Sequence, residues 1–464
     1  MKKSEKSYFS ANLKRVNRAK AILGKAGNFR REQAELDVID GELADFAAKH
    51  ILRQFGSKLA YTVVYDIPEF GKVLTRHGAV EDLGAFHLGA VSWKGDVRAK
   101  GNLFHIPYEL MDYHVTQIDN VMHTEAILFA SKLLDVSGMD MVGFGLSGSS
   151  AVDLAMKIAL QYHNKNRENK KSGFIAIRGG YHGSISTNLH LVKLDQNIQN
   201  MNLRLKLLPN PAENPKWYKK LNSHIKKHGS DIAGIIAEPV MFSSGVYDLI
   251  EPLRIVVEIA RENDILIFFD EVVTSYAKTG RMFAFQHLTE KFGEKYRPDL
   301  VTLAKNITRG AESLSAVMLN AKVAKGVRKF DEYFYGFTMG GARRACQWAL
   351  DELILMEEAN APRLALELGG YLLKQLEPLE QEGAVKQVRG RGLLVGIQFH
   401  SPEHTRAVSV ELQKNGWAPY TDNDPNVGCD YINPLFMFND TRERVDRFVS
   451  SLREALQNTA GKRE

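Results

Sequence analysis

The sequence predicts an α/β chain in which a mostly parallel sheet between helices forms the larger part and a smaller α+β lobe follows. Three observations carry that prediction. Short apolar runs of strand length recur at Met141 to Leu146, Phe174 to Gly183, Ile232 to Val240, Ile265 to Phe269 and Leu300 to Ala304, with helical patterns between several of them. Three of these runs lead into a charged residue, Glu238, Asp270 or Lys305, as expected where an open α/β sheet holds its ligand at the strands' carboxyl edge. Beyond Asn320 the pattern changes to longer helices around a single glycine-rich strand run.

Taken in order, residues 1 to about 60 read as helical. Leu13 to Leu23 is basic and amphipathic, and Ala34 to Phe55 repeats Leu36, Ile39, Leu43, Phe46 and Ile51 at helical spacing. Irregular strands and loops are expected from Tyr61 to about Asn102. A helix is predicted from Val121 to Leu134, then a strand, then a helix beginning near Ser149, where Val152, Ala155, Ala159 and Tyr162 share a face. Leu253 to Glu262 and Phe283 to Phe292 read as further helices. The closing lobe is expected to hold helices Arg343 to Glu358, Pro362 to Glu380 and Thr441 to Leu456 around VRGRGLLVGIQF. The resulting division is 1–114 as an amino-terminal arm and joining segment, 115–320 as the large domain and 321–464 as the small α+β domain.

A chain of 464 residues is long for one core, so two or three lobes are expected. Its 44% hydrophobic and 25% charged residues are ordinary for a globular protein and give no sign of disorder. The net charge of +6 is dispersed, and the basic patches near Lys170 and Lys226 lack interleaved aromatics, which disfavours nucleic-acid binding and leaves solvated helix faces. Two cysteines, Cys346 and Cys429, form no disulfide framework and no repeated metal-binding pair. A reducing, cytoplasmic setting is therefore expected, with no metal. No apolar run approaches the length of a membrane span.

The candidate chemistry lies at the strand ends. SGSSA, Ser147 to Ala151, places small residues and hydroxyls where a helix starts, and free amides at that positive end suit a phosphate. Neither a Walker loop nor a GxSxG elbow fits its spacing, and an ordinary N-cap explains it equally well. Asp270 and Lys305 form a more informative pair. A partly desolvated lysine can form a Schiff base, and a carboxylate across the same edge can pair with a protonated pyridine nitrogen. A structural salt bridge is the alternative. Tyr181 in GGYHG could lie flat on a bound ring or serve as a core aromatic, with His182 beside it. His224 and His228 have metal-ligand spacing, but lysines fill the gap and surface positions are expected.

Together, SGSSA, YHG, AEPV, DEVVTSYAKTG, FAFQH, PDLVTLAK and VRGRGLLVGI, in this order and spacing, resemble the class III aminotransferases, pyridoxal-phosphate enzymes of fold type I. The resemblance covers Val121 to Phe399 and hardly touches the first hundred residues. It implies a mostly parallel sheet of the seven-stranded type. It also implies that pyridoxal 5'-phosphate forms the internal aldimine with Lys305, that Asp270 contacts the pyridine nitrogen and that Val272 packs beneath the ring. Tyr181 matches the aromatic on the other ring face. Ser147, Gly148 and Ser149 match the phosphate turn, with His182 and Glu238 also in the cofactor's surroundings. Thr338 matches a threonine that reaches the neighbouring subunit's phosphate, which implies a homodimer with shared active sites.

The implied reaction moves an amino group between an amine or amino acid and a keto or aldehyde acceptor. An aminomutase, racemase or decarboxylase on the same fold is the alternative, and a non-catalytic binding module a more distant one. The chain departs from the family at four places. Val273 stands where Gln or Met is common, Lys278 where arginine is usual, and Ala342-Arg343 where Asn-Pro is common. The carboxyl-terminal arginine that binds substrate carboxylates has no match in DYINPLF, where Asn433 is the position to inspect. An amine or an unusual keto substrate is the expectation that follows.

Overall fold

The structure is a computed structural model, describing residues 7–24, 32–51, 62–69, 72–76, 78–81, 121–164, 171–185, 204–328, 336–337, 339–421 and 430–462. Helices α1 (Tyr8–Leu23) and α2 (Gln33–His50) open it. Four short strands follow, β1 (Thr62–Val64), β2 (Asp66–Glu69), β3 (Lys72–Thr75) and β4 (Gly78–Glu81). Then come β5 (Val121–His123), α3 (Thr124–Ser137), β6 (Met141–Gly145), α4 (Gly148–Asn164), β7 (Gly173–Ile177), β8 (Arg204–Leu208) and α5 (Trp217–His228). The middle of the chain forms β9 (Ile232–Ala237), β10 (Val240–Met241), β11 (Tyr247–Asp248), α6 (Ile250–Glu262), β12 (Leu266–Asp270), α7 (Phe285–Phe292) and β13 (Leu300–Leu303). The last part supplies β14 (Ser315–Leu319), α8 (Ala321–Val327), α9 (Arg343–Glu358), α10 (Ala361–Gln381), β15 (Gln387–Arg391), β16 (Leu394–Gln398), α11 (Pro402–Lys414), β17 (Tyr431–Ile432) and α12 (Arg442–Asn458).

Two compact units divide these elements, Met1–Leu154 with Ile307–Ile354, and Ala155–Asn306 with Leu355–Glu464. The large, mostly parallel sheet has seven strands in the order β6-β14-β13-β12-β9-β7-β8.

In the first unit, β6 pairs antiparallel with β14 from Met141↔Leu319 to Gly145↔Ser315. Every residue of both strands is buried, which explains their nearly unbroken apolar sequences. The predicted helix from Val121 starts later, because Val121 to His123 pair in parallel with β1. The His123 side chain then caps α3 by accepting the Ala126 amide. Helix α1 packs against α3, and Asp135 accepts the Tyr8 and Phe9 amides at 2.9 and 2.8 Å. That carboxylate satisfies the amides left open at the start of α1. Helix α2 ends at His50, short of the predicted Phe55, which lies outside the described residues.

In the second unit, five parallel strands run in the order β13-β12-β9-β7-β8. Their carboxyl ends place Leu303, Asp270, Ala237, Ile177 and Leu208 along one edge. Asp299 anchors the opposite end of β12. It accepts two bonds from Arg261 Nη1 and one from the Ile267 amide, joining helix, loop and strand at a buried carboxylate.

The same unit contains the expected α+β part, an antiparallel β15-β16-β17 sheet with α10, α11 and α12. Leu372, Leu376, Ile397, Phe399, Leu412, Phe448 and Leu452 form its core. Gly392, at φ +60°, turns β15 into β16 against the loop after β12, and Leu393 N–H donates to Lys278 O. A Cβ on Gly392 would lie 2.6 Å from that same oxygen, so both conformation and space require glycine. No helix among the described residues is long and apolar enough to cross a membrane, and none of their His, Cys, Asp and Glu side chains group as metal ligands.

Candidate active site

At the carboxyl edge of β12, Asp270 is 4% exposed and sits opposite Thr302 in the ladder. That register decides its partners. Thr302 Oγ1 donates to Asp270 Oδ1 at 3.0 Å, and the Val272 amide donates to the same oxygen at 3.2 Å. Asp270 Oδ2 lies 2.9 Å from His182 Nδ1. The carboxylate can only accept there, so the proton belongs on Nδ1 and Nε2 is left as an acceptor. His182 Nε2 is buried and has no hydrogen-bond partner among the described residues.

Lys305 follows β13 by two residues and adopts a left-handed conformation with φ +47°. Such a conformation costs a non-glycine residue on the order of 1 kcal/mol or more, and strain of this kind concentrates at functional sites. The side chain is exposed. Asn306 Nδ2 donates to Val273 O at 3.3 Å and Ser275 O at 3.5 Å, tying the lysine's turn to the loop that follows Asp270. Among the described residues, the side-chain partners of Asp270 are Thr302 and His182, and no ion pair joins it to Lys305.

The GGYHG turn is held from below by Glu238. Its Oε1 accepts the Tyr181 amide and its Oε2 the Phe242 amide, both at 3.0 Å. Burial raises the pKa of this carboxyl, with nearby Asp270 adding to the rise and His182 opposing it. Ser244 Oγ fixes the turn's other side by donating to Gly179 O at 2.5 Å. Tyr181 is thereby presented with its side chain 46% exposed, while His182 is folded inward. Val272 is half-buried, and Val273 packs on Val240, Phe242, Val246 and Leu394.

The loop after Asp270 is built around Glu271, which is fully buried. Its Oε2 accepts the Ala284 amide at 2.6 Å and its Oε1 the Phe285 amide at 2.8 Å, binding the start of α7 to the end of β12. Lys278 Nζ reaches Phe436 O at 3.1 Å, and burial lowers its pKa. Asn433 is buried, exchanges backbone hydrogen bonds with Tyr420, and leaves Oδ1 without a partner among the described residues.

In the first unit, Ser147 ends the turn after β6, and Gly148 and Ser149 are the first residues of the 17-residue α4. Ser150 Oγ accepts the Ser147 amide at 2.9 Å and the Leu146 amide at 3.1 Å, which shapes this turn. Thr338 lies outside the described residues.

Sequence reasoning passed over several residues that organise this site. Thr302 was detectable as a hydroxyl inside an otherwise apolar strand, LVTL. Asn306 carries no signal in the sequence beyond its place beside Lys305. Ser244 and the roles of Glu271 and Glu238 as amide acceptors depend on loops whose conformations no local pattern specifies.

The parallel sheet, the acid at one strand end and the amine at the next define a fold type I α/β enzyme architecture. The class III aminotransferase family model matches residues 107–456, and the chain belongs to that family. It is 32% identical to an uncharacterized aminotransferase of Bacillus subtilis (strain 168) over 317 residues, 64% of this chain and 68% of that protein. It is 28% identical to an acetylornithine aminotransferase of Methanocaldococcus jannaschii over 372 residues, 76% and 86% of the two chains. A solved transaminase from the marine bacterium Virgibacillus shares the fold at TM-score 0.69, with 20% identity, covering 91% of this chain and 99% of that one. The protein is thus an aminotransferase of the pyridoxal-phosphate-dependent class III type, with small-molecule amines and keto acids as its substrate classes.

Proposed function

We propose that this aminotransferase anchors pyridoxal 5'-phosphate on Lys305 and holds the ring nitrogen with Asp270. The observation that carries the reading is the buried Asp270 carboxylate, fixed by Thr302, the Val272 amide and His182 at the edge next to the strained Lys305 turn. The residues present fit the group. Tyr181 offers an exposed aromatic face, Val272 an apolar one, and the orphaned His182 Nε2 is a buried acceptor on the acid's own partner. When bound, the cofactor supplies a pyridinium ring that takes up the charge left as a proton leaves the substrate carbon.

The chain's residues do the rest. Asp270 keeps the ring nitrogen protonated, because opposite charges in contact favour both ionised forms. Thr302 and His182 keep the carboxylate from turning. Glu238 acts through the backbone, holding the Tyr181–His182 turn. Lys305 Nζ is both the anchor and the base that takes up and returns the proton at the reacting carbon. Ser147, Gly148 and Ser149 receive the phosphate at the amino end of α4, whose positive end and amides suit an anion.

The same reading makes the protein a cytoplasmic homodimer in which Thr338 reaches the phosphate bound to the partner subunit. It keeps the division into arm, 1–114, cofactor domain, 115–320, and small domain, 321–464. Its donor is an amine or an ω-amino compound without an arginine clamp on an α-carboxylate. The neutral, buried Asn433 supports that choice, as do relatives named as ornithine and omega-aminotransferases.

The test is a half-reaction panel. Purified holoenzyme is mixed with amines, ω-amino acids and α-amino acids without an acceptor. Bleaching with carbonyl product, fastest for donors lacking an α-carboxylate, is expected. Bleaching confined to α-amino acids would overturn the donor assignment, and solvent deuterium in recovered amine without carbonyl product would overturn transamination. Light scattering during gel filtration should return twice the chain mass.

A further inference from the structure

The second unit contains a cavity of about 670 Å³ that the reaction does not use. Five basic side chains, one arginine and four lysines, line it. Arg178 follows β7, Lys206 lies within β8, and Lys219, Lys220 and Lys227 come from α5. His224 and His228 add two imidazoles, with ring centroids 4.9 Å apart, and Ser223 adds a hydroxyl. Leu207, Leu208 and Pro209 supply the apolar wall. Among the described residues no carboxylate and no Phe, Tyr or Trp ring lines the cavity.

The ordinary explanation for a basic helix face is solvation, aided at the carboxyl end by the helix dipole. It accounts for Lys226, Lys227 and His228 in the last turn of α5. Lys219 and Lys220 lie near the opposite end, where the dipole disfavours cations and where the first turn contains no acid. Lys220, His224 and Lys227 follow at four- and three-residue spacing, so the two lysines share one helix face with the imidazole between them. Lys206 and Arg178 bring the same sign from two other elements. The buried face of α5, formed by Trp217, Leu221 and Ile225, fixes this arrangement against the rest of the unit. The pKa of His224 is lowered, first by burial and then by His228, Lys206 and Lys227, which reports the same concentrated positive field.

We propose that this cavity is a binding site for a small polyphosphate-bearing anion, separate from the cofactor's own phosphate turn at Ser147 to Ser149. Its volume falls within the roughly 300–1,000 Å³ of small-molecule sites. A concave wall carrying lysines from two elements and an arginine from a third matches clustered phosphate oxygens better than an extended strand of nucleic acid, which would use an exposed stripe and stacking aromatics.

The experiment is calorimetric titration of the holoenzyme, in which the cofactor already occupies the phosphate turn, with inorganic tripolyphosphate at low salt. A saturable site with one equivalent per chain is expected. The Lys219→Gln/Lys220→Gln/Lys227→Gln variant should bind at least ~10-fold more weakly. A Lys322→Gln/Lys325→Gln/Lys414→Gln variant of equal net charge should bind as wild type. Transamination rates of both at saturating donor should match wild type. Lys206→Gln, a single change on the strand side, gives an independent loss of affinity should the first triple variant not fold. Absence of binding at millimolar tripolyphosphate, or equal losses in both triple variants, would overturn the proposal. So would tighter binding of an oligonucleotide or of phosphatidic-acid vesicles, which would mark a macromolecular surface instead.

Discussion

Asp270 Oδ2 and His182 Nδ1 lie 2.9 Å apart, both nearly excluded from solvent, at the ends of strands that are not neighbours in the sheet. Strand β9 separates β7 from β12 and contributes Glu238, which holds the His182 turn from the same edge. Three strand ends are therefore coupled through one acid, one imidazole and one amide acceptor.

Replacing His182 should weaken the site without unfolding the chain. His182→Phe removes the donor to Asp270 Oδ2 and frees the carboxylate to rotate about its Thr302 contact. A misplacement of this size costs on the order of 100-fold in turnover. The expected result is a reduced kcat and a shifted cofactor absorption band, with a thermal midpoint within a few degrees of wild type. Unchanged kcat and spectrum would show that the imidazole has no positioning role.

Two buried groups near the site should give opposing pH dependences of stability. Burial pushes the Glu271 carboxyl up to about 7 from 4.5, so between those values the folded state holds the proton more tightly. Its contribution to stability therefore falls as pH rises through that window. Burial, followed by Arg391, pushes His287 down to about 4 from 6.5. There the unfolded state binds more protons, and stability falls as pH drops from 6.5 towards 4. Each component approaches at most ~1.4 kcal/mol per pH unit. Relative to wild type, Glu271→Gln should make the midpoint rise more steeply from pH 4.5 to 6.5, and His287→Gln should make it rise less or fall. Parallel profiles for all three proteins would contradict both assignments.

Gly392→Ala should destabilise the contact between the β15–β16 turn and the loop after β12. The added Cβ meets Lys278 O at 2.6 Å, and φ +60° is unfavourable for alanine. A loss of roughly 1–3 kcal/mol is expected from denaturant unfolding. Gly370→Ala, inside α10 where a Cβ meets nothing within 4 Å, should stabilise by up to ~1 kcal/mol and serves as the control.

The sequence exposed β7, β9, β12 and β13, whose residues are buried throughout, so runs such as IAGIIA and LIFF are apolar and lead into an acid, whereas β8, with Arg204 and Lys206, was not anticipated. It exposed α9 with its ends as observed, Arg343–Glu358. Helix α3 began three residues later than expected because Val121 to His123 are claimed by a parallel pairing with β1, a non-local contact that helical periodicity does not contain. At the site, residue types at strand ends pointed to Asp270 and Lys305. The clamp on Asp270 was not legible, since it depends on the Asp270↔Thr302 register and on a turn folded back from β7. The basic residues of α5 read as a solvated face because α5 alone gives no sign that Lys206 and Arg178 meet it.

The most direct test of the central assignment is chemical. Holoenzyme treated with borohydride and digested should give one peptide carrying the pyridoxyl mass, on Lys305, and the Lys305→Ala protein should give no labelled peptide and no transamination. A label on another lysine, or undiminished turnover in Lys305→Ala, would contradict the role of the strand-end pair Asp270 and Lys305.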